Sequence, residues 1–204
     1  GAFGNDAPAQ HIQEVLKELG VDTTRCRQYE GENGAARVTL RSGDRVFLGS
    51  NKGGALRLHP LCLDEEDLAY IGTFHVVHTS NNSYMDDELC KIRRTGVLLS
   101  YDFSLQWKDE QRLASVVPQI DVAFLSCSEL DDSGAKELLG RICSMGCGLA
   151  VGTRGARGAL IFDGTQHWNQ PSQYVEPVDT MGAGDAFASA LLVNLTPAWR
   201  ETGR

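Results

Sequence analysis

The stretch that decides the fold is Val178-Asp179-Thr180-Met181-Gly182-Ala183-Gly184-Asp185-Ala186-Phe187. Its small residues run directly into an apolar helical pattern, which places Gly182, Ala183 and Gly184 at a predicted helix N-terminus. Unpaired backbone N–H groups and the positive end of the helix dipole favour an anion there, and glycine lets the anion approach the backbone. The stretch therefore predicts a binding site for a phosphate or another anion.

Asp185 follows the glycines directly, so it is predicted to lie in the first turn of that helix. A carboxylate among free N–H groups stays ionised and can accept a proton from a substrate hydroxyl. An anion site and a base side by side suit phosphoryl transfer. The alternative is a glycine-rich turn followed by an aspartate that only caps the helix.

Length, composition and charge exclude several classes of protein. A chain of 204 residues suits a single domain spanning 1–204, and its content of 42% hydrophobic and 23% charged residues is typical of a globular protein. A net charge of -8 argues against nucleic-acid or membrane-surface partners, and no apolar run is long enough to span a bilayer. The six cysteines form no Cys-x-x-Cys pair, which favours free thiols in a reducing cytosol and a cytoplasmic protein.

Short apolar strands alternate with helical stretches along most of the chain. Buried strands are predicted at 74–78, 97–101, 122–125 and 149–151. Helices are predicted at 8–19, 64–71, 86–94, 110–117 and 135–142. A further strand at 158–162 is predicted to pair with 166–168 through a tight turn. This alternation predicts an α/β fold with a parallel sheet covered by helices on both faces.

Residues 35–49 have a different period. Apolar and polar residues alternate on both sides of Ser42-Gly43-Asp44, which predicts a β-hairpin with one polar face. We interpret the region at about 33–52 as a small β-lid, and a plain surface hairpin is the alternative. Arg37 and Arg41 then face either the substrate or the solvent.

Polar or small residues follow the four predicted strands. The segments are 78–82, 102–104, 126–129 and 152–155. In doubly wound sheets ligands bind beyond the carboxyl ends of the strands, so these segments predict a site there. His75 and His78 flank the first strand, and because no third ligand accompanies them we favour hydrogen bonding over a metal pair.

The pattern Asp-Thr-x-Gly-Ala-Gly-Asp-x-Phe at 179–187 resembles the C-terminal signature of the ribokinase (PfkB) family of sugar kinases. This resemblance implies a ribokinase-like doubly wound sheet, mostly parallel, with a small β-lid. It also implies transfer of the γ-phosphoryl of ATP to a sugar hydroxyl with Mg²⁺. Asp185 would be the base, and the amides of Gly182, Ala183 and Gly184 would stabilise the transferring group.

Two further segments resemble ligand-binding motifs of the family. Thr153-Arg154-Gly155-Ala156-Arg157-Gly158 resembles its Thr-x-Gly-x-x-Gly nucleotide segment, which implies nucleotide binding by Thr153, Gly155 and Gly158. Arg157 or Arg154 would place positive charge next to the nucleotide phosphates, or would be solvated. Residues 126–129 fall where the family has Asn-x-x-Glu, so the resemblance implies that Glu129 and Ser126 support Mg²⁺ and phosphates through water. Ser126 replaces the Asn, and Glu129 as a helix-start residue is the alternative.

The variant Tyr-Asp-Phe-Ser-x-x-Trp at 101–107 resembles the fructoselysine 6-kinase branch of the family. That resemblance implies a sugar or sugar-amine substrate near Asp102 and Asp185, with Arg37 from the lid. Asp179 and the Met181 carbonyl match a position for K⁺ or another monovalent cation in some relatives. Many members dimerise through the lid, so a homodimer is also implied.

The resemblance leaves the chain short of the family pattern at both ends. Nothing matches the family's Gly-Gly-x-x-x-Asn segment, and residues 196–200 read like a closing tail after a break near Asn194. We therefore expect an incomplete chain. Three alternatives stay open: another kinase of the family, such as a fructokinase; a degenerate non-catalytic homologue; and a nucleotide-cofactor oxidoreductase. The last is disfavoured because no Gly-x-Gly-x-x-Gly follows the first strand.

Overall fold

The computed structural model describes residues 1–41, 44–173, 175 and 179–202. The chain divides into two compact units. The first comprises Gly1–Asp67 with Asn82–Met85, and the second comprises Leu68–Asn81 with Asp86–Arg204. The assignment of both to one domain stays a prediction, and the predicted turn at Ser42-Gly43 and the start of the signature at Val178 lie outside the described residues.

The first unit holds short strands and two complete helices. Its elements are β1 Ala2–Phe3, α1 Ala7–Glu18, β2 Arg27–Gln28, β3 Ala36–Arg41, β4 Asp44–Ser50 and α2 Gly54–Leu58. The β1 and β2 strands pair in parallel. Helix α1 begins one residue before the predicted start at 8, because the Asp6 side chain caps it by accepting a hydrogen bond from the Ala9 amide at 3.0 Å.

The predicted hairpin is present as the antiparallel pair β3–β4. Its register shifts between Arg37 and Val38, where one strand carries a bulge. Arg37 is exposed on β3, and Val38, Phe47 and Leu48 are exposed apolar residues of the same hairpin. The role of the hairpin as a substrate lid stays a prediction.

The second unit is built on a six-stranded sheet of order β10-β9-β8-β7-β6-β5. The strands are β5 Val76–Ser80, β6 Leu98–Asp102, β7 Val122–Ser126, β8 Leu149–Thr153, β9 Ala159–Phe162 and β10 His167–Gln170. The strands β5 to β8 are parallel, β9 runs antiparallel to β8, and β10 runs antiparallel to β9. The prediction of a mostly parallel sheet is therefore confirmed.

The first of these strands begins two residues later than predicted. The amides of Thr73 and Phe74 donate to the carbonyls of Tyr70 and Ile71, so the chain is still closing the end of α3, Glu65–Ile71, at this point. Phe74 is 48% exposed rather than buried in the sheet. The apolar side chain of Phe74 suggested a strand residue, but the turn that closes α3 determines where β5 starts.

Helices cover both faces of this sheet, as predicted. Its remaining helices are α4 Leu89–Arg93, α5 Glu110–Val116, α6 Asp132–Ser144 and α7 Ala183–Thr202. Helix α7 packs Ala188 and Leu192 against one face, on a cluster with Leu98, Val122, Phe124 and Val151. Gly152 points to the other face, where an added Cβ would lie 3.5 Å from Leu139 of α6.

Helix α7 continues past Asn194 and includes Pro197 in its last turns. The Thr196 hydroxyl donates to the Leu192 carbonyl at 2.8 Å within this segment. Residues 196–200, which read like a closing tail in the sequence, are therefore helical.

In the part of the chain that the structure describes, no helix is long and apolar enough to cross a membrane. All six cysteines are free thiols. Burial raises the pKa of Cys127 to about 11 and that of Cys147 to about 12. These two thiols therefore stay protonated near neutral pH and are poor nucleophiles.

Candidate active site

The start of α7 has the local structure that its glycines predict. Gly182 has a left-handed φ of 76°, which suits glycine, and its carbonyl accepts the first helical hydrogen bond from the Ala186 amide at 2.8 Å. The Ala183 amide donates to the Thr180 carbonyl at 3.2 Å. Asp185 lies exposed in the first turn. The predicted base therefore lies at a helix N-terminus, the position that the sequence indicates.

The second unit brings Asp185 together with two side chains from neighbouring parallel strands. His78 of β5 pairs in register with Ser100 of β6, and Asp102 lies two residues further along that strand on the same face. Burial lowers the pKa of His78 against the charges of Asp102 and Asp185, and burial raises the pKa of Asp102, with a smaller contribution in the same direction from the charge of Asp185. The three groups thus form one electrostatic cluster at the carboxyl edge of the sheet.

His78 is held by the neighbouring strand. Its Nδ1 lies 2.8 Å from the Ser100 hydroxyl oxygen, and its ring meets the Phe124 ring edge-on at 5.9 Å between centroids. Although His78 is exposed overall, desolvation on its sheet side is the largest influence and lowers its pKa, against the two carboxylates. The sequence favoured a hydrogen-bonded histidine here, but it gave no signal that the charges of Asp102 and Asp185 both act on His78.

Asp102 closes a tight turn at the end of β6. Its Oδ1 accepts hydrogen bonds from the Ser104 amide at 2.6 Å and the Ser104 hydroxyl at 3.4 Å, and Ser104 has a left-handed φ of 49°. Burial raises the pKa of Asp102, while the hydrogen bonds from Ser104 and the neighbouring His78 lower it. Asp102 is thus a half-buried carboxylate with increased proton affinity beside the predicted base.

The turn at 153–158, which follows β8, has the glycine geometry that the sequence predicts. The Arg154 amide donates to the Gly158 carbonyl at 2.8 Å and closes the turn. Gly155 and Gly158 have φ values of 59° and 82°. The Thr153 hydroxyl donates to the Leu125 carbonyl at 3.4 Å. The turn lies at the carboxyl edge of the sheet, where a phosphate is expected in such folds.

The two arginines of this turn are bonded to the protein itself. Arg157 is exposed, but its Nη2 donates to the carbonyls of Ser128 at 2.9 Å and Leu130 at 2.8 Å. Arg154 is 5% exposed and lies close to Asp132, with Nη1 2.7 Å from its Oδ1. The direct phosphate contact that the sequence suggested for Arg157 stays a prediction.

Glu129 lies in the loop between β7 and α6. Helix α6 begins at Asp132 with Asp131 as its cap, so the alternative interpretation of Glu129 as a helix-start residue is wrong. Glu129 is exposed and forms an ion pair with Lys108 at 2.6 Å. The Ser126 amide donates to the Ser104 carbonyl at 2.8 Å.

Among the described residues, no three or more His, Cys, Asp or Glu side chains are grouped so that they could hold a metal ion. Mg²⁺ in phosphoryl-transfer sites is typically bound by one or two carboxylates together with substrate phosphates. A carboxylate such as Glu129, exposed at this edge of the sheet, suits that mode of binding.

The remaining predicted site residues are Asp179, Met181 and Arg37. Asp179 and Met181 are exposed, and the Met181 amide donates to Asp179 Oδ1 at 3.0 Å. Arg37 belongs to the first unit. The cation position at Asp179 and Met181 and the substrate contact of Arg37 stay predictions.

A mostly parallel sheet with a glycine-started helix and an aspartate at its carboxyl edge is the architecture of the ribokinase-like class. The family model for the pfkB family carbohydrate kinases matches residues 1–199, and the chain belongs to this family. Arabidopsis thaliana ribokinase complexed with ribose and ATP has the same fold, with a TM-score of 0.80 at 20% identity over 97% of this chain and 68% of that one. A putative ribokinase II from E. coli in complex with ATP and Mg²⁺ has a TM-score of 0.73 at 21% identity, over 94% of this chain and 67% of that one.

Curated relatives include three named sugar or sugar-amine kinases. Fructosamine kinase FrlD of Bacillus subtilis (strain 168) is 37% identical over 193 residues, which cover 94% of this chain and 67% of that protein. Fructoselysine 6-kinase of Escherichia coli (strain K12) is 31% identical over 189 residues, with 93% and 70% covered. Fructokinase of Solanum tuberosum is 31% identical over 212 residues, with 96% and 64% covered.

Proposed function

We propose that the protein transfers the γ-phosphoryl of ATP to the 6-hydroxyl of fructoselysine or a closely related sugar-amine adduct. The observation that carries the chemistry is the position of Asp185, exposed in the first turn of α7 behind the left-handed Gly182, with a charge that acts on Asp102 and His78. The named relatives support the substrate, since two of them act on fructosamines or fructoselysine by name. Arg37 of the lid is our candidate for a further substrate contact.

The chain supplies a base and a set of amides for this reaction. Asp185 accepts the proton of the sugar hydroxyl while the oxygen of that hydroxyl attacks the γ-phosphorus of ATP, and ADP leaves. The backbone amides of Gly182 and Gly184 would stabilise the charge that develops on the transferring group, and the Ala183 amide would have to leave the Thr180 carbonyl to join them. Thr153, Gly155 and Gly158 hold the nucleotide phosphates. Mg²⁺ supplies neutralisation of the phosphate charge, with Glu129 and Ser126 as the residues that would hold it through water.

The substrate assignment predicts a clear difference between acceptors. ADP release by the full-length protein with Mg-ATP should be at least about tenfold faster with fructoselysine than with fructose at equal sub-saturating concentrations, because a pocket that fits the amine adduct gains binding energy from it. The control is the rate without any sugar. Equal or faster turnover with fructose would contradict the fructoselysine assignment and leave the kinase class intact.

A fructokinase is the second candidate, and the potato fructokinase at 31% identity favours it. A non-catalytic homologue is the third, because Ser126 stands where the family pattern has Asn. The same assay separates the three. Turnover with fructose supports the second, and Mg-ATP binding without turnover on any sugar supports the third.

The Mg²⁺ role of Glu129 predicts a specific metal dependence. Replacing Glu129 by Gln should raise the Mg²⁺ concentration for half-maximal rate about tenfold, because a group that holds a metal through water loses its charge. The measurement is a Mg²⁺ titration of the initial rate at fixed ATP. Glu110→Gln is the matched control, since Glu110 is also exposed and paired with a cation, Arg141. An unchanged Mg²⁺ requirement in Glu129→Gln would remove Glu129 from the metal site.

Three further properties belong to this proposal. The exposed apolar residues Val38, Phe47 and Leu48 support dimerisation through the hairpin, because such residues are typical of contact surfaces. Asp179 and the Met181 carbonyl are candidates for binding K⁺. The six free thiols agree with a reducing cytosol as the site of action.

A further inference from the structure

Arg154 has an unusual environment for a cation beside a candidate phosphate site. Its side chain is buried, and each of its terminal nitrogens is bonded within the protein. Nη1 lies 2.7 Å from Oδ1 of Asp132 in the first turn of α6. Nη2 lies 2.6 Å from Oδ1 of Asn169 on β10 and 3.4 Å from the Arg157 carbonyl. One guanidinium therefore connects three separate elements of the second unit.

Arg157 completes the connection to the loop between β7 and α6. Its bonds to the carbonyls of Ser128 and Leu130 lie on either side of Glu129 in the sequence, and its Nη1 lies 3.7 Å from Asp132. The turn that is proposed to hold the nucleotide is thus tied to the loop that carries the proposed metal residue. Neither arginine side chain needs to touch a phosphate to influence how the two segments are placed.

A contribution to fold stability does not explain well why a buried arginine stands at position 154. Burying a guanidinium is costly, and a buried ion pair often contributes no more than apolar residues of similar volume. The Nε of Arg154 is also buried without a hydrogen-bond partner within the residues that the structure describes. Asp132 and Asn169 are exposed, so water could satisfy both if Arg154 were absent. The contacts of Arg154 are better explained if the arginine fixes the position of the 153–158 turn relative to α6 and β10.

We infer that Arg154 is a positioning residue for Mg-ATP: its buried guanidinium fixes the 153–158 turn relative to the loop that carries Glu129. This inference rests on the proposed function of the turn. A turn held in its binding conformation loses less entropy when the nucleotide binds, so its fixation improves affinity. The rate of the chemical step depends on Asp185 and is separate from this effect.

The test is a titration of the full-length protein with Mg-ATP, followed by steady-state kinetics. Arg154→Met should raise the dissociation constant and KM for Mg-ATP about tenfold, with kcat at saturating ATP within about threefold of wild type. Arg154→Lys keeps the charge and one bond, so its affinity for Mg-ATP should lie between those of the wild type and Arg154→Met. Arg141→Met removes an exposed arginine from α6 and should bind Mg-ATP as the wild type does.

The wild-type titration separates the two levels of the proposal. Failure of the wild-type protein to bind Mg-ATP would overturn the nucleotide site and the role of Arg154 with it. Binding by wild type and equal binding by folded Arg154→Met would overturn the positioning role alone. If Arg154→Met does not fold, Asp132→Ala removes the exposed partner instead. Asp132→Ala should then weaken Mg-ATP binding, and unchanged affinity would contradict the inference.

Discussion

Replacement of Asp185 by Asn is expected to lower kcat of the full-length protein by about 10² or more, with Mg-ATP affinity within a few-fold of wild type. The amide cannot accept the proton of the acceptor hydroxyl, whereas its size and its place in the first turn of α7 are retained. A loss of 10² corresponds to about 2.7 kcal/mol in the activation free energy. The effect on folding should be small, because an exposed charge at a helix N-terminus contributes only about 0.3–1 kcal/mol.

Two further variants make this expectation specific. Asp109 also lies exposed at a helix start, where it caps α5, and Asn can take over that cap. Asp109→Asn should therefore keep wild-type kcat. If Asp185→Asn stays within a few-fold of wild type, Asp185 is not the base. Asp102 would then be the next candidate, because its raised pKa already gives it increased proton affinity, and Asp102→Asn would test it.

The features that the sequence predicted well are those with a local signal. Continuous apolar runs mark β6, β7 and β8, and these three strands are present and run parallel to one another. Glycines mark the start of α7 at Gly182 and the turn at 155–158, because only glycine adopts these φ values without strain. The position of the site, expected from the rule that ligands bind at the carboxyl ends of parallel strands, stays a prediction.

The features that the sequence did not reveal depend on residues far apart in the chain. Arg154 finds Asp132 and Asn169, which lie 22 and 15 residues away, and neither carries a motif that announces the contact. Lys108 reaches Glu129 across 21 residues in the same way. A pattern read along the chain predicts which face a residue occupies, but not which polar partner it meets there. The sequence therefore left two alternatives for the arginines, phosphate contact or solvation, and did not reveal their bonds within the protein.

The start of β5 shows a different limit. Phe74 continues an apolar run and has high strand propensity, yet it belongs to the turn after α3. Hydrogen bonds from the amides at 73 and 74 to the last carbonyls of the helix determine this boundary. Gly72 marks the end of α3, but the sequence does not show how many residues the closing turn takes after it, so the start of β5 could not be predicted to the residue.

Gly158→Ala is expected to have the second large effect, on both folding and nucleotide binding. Gly158 has a φ of 82° and a ψ of -142°, a combination that is essentially restricted to glycine. An added Cβ would overlap the Gln170 carbonyl oxygen and lie 2.7 Å from the Ser172 amide nitrogen. Both are backbone atoms, so a side-chain rotation cannot relieve the overlap. The free energy of unfolding should fall by about 3 kcal/mol or more, measured by urea denaturation.

Gly164→Ala separates the overlap from the cost of the backbone conformation. Gly164 also has a left-handed φ, 92°, but an added Cβ there would meet no atom within 4 Å. Alanine at 164 should therefore cost only about 1–2 kcal/mol and leave Mg-ATP binding unchanged. Alanine at 158 must shift either the turn or the Gln170 backbone of β10, next to the Asn169 that holds Arg154. The dissociation constant of Gly158→Ala for Mg-ATP should rise at least about tenfold at temperatures where this variant is folded. If Gly158→Ala and Gly164→Ala are equally stable and bind Mg-ATP equally well, the close approach of the 153–158 turn to β10 does not shape the nucleotide site.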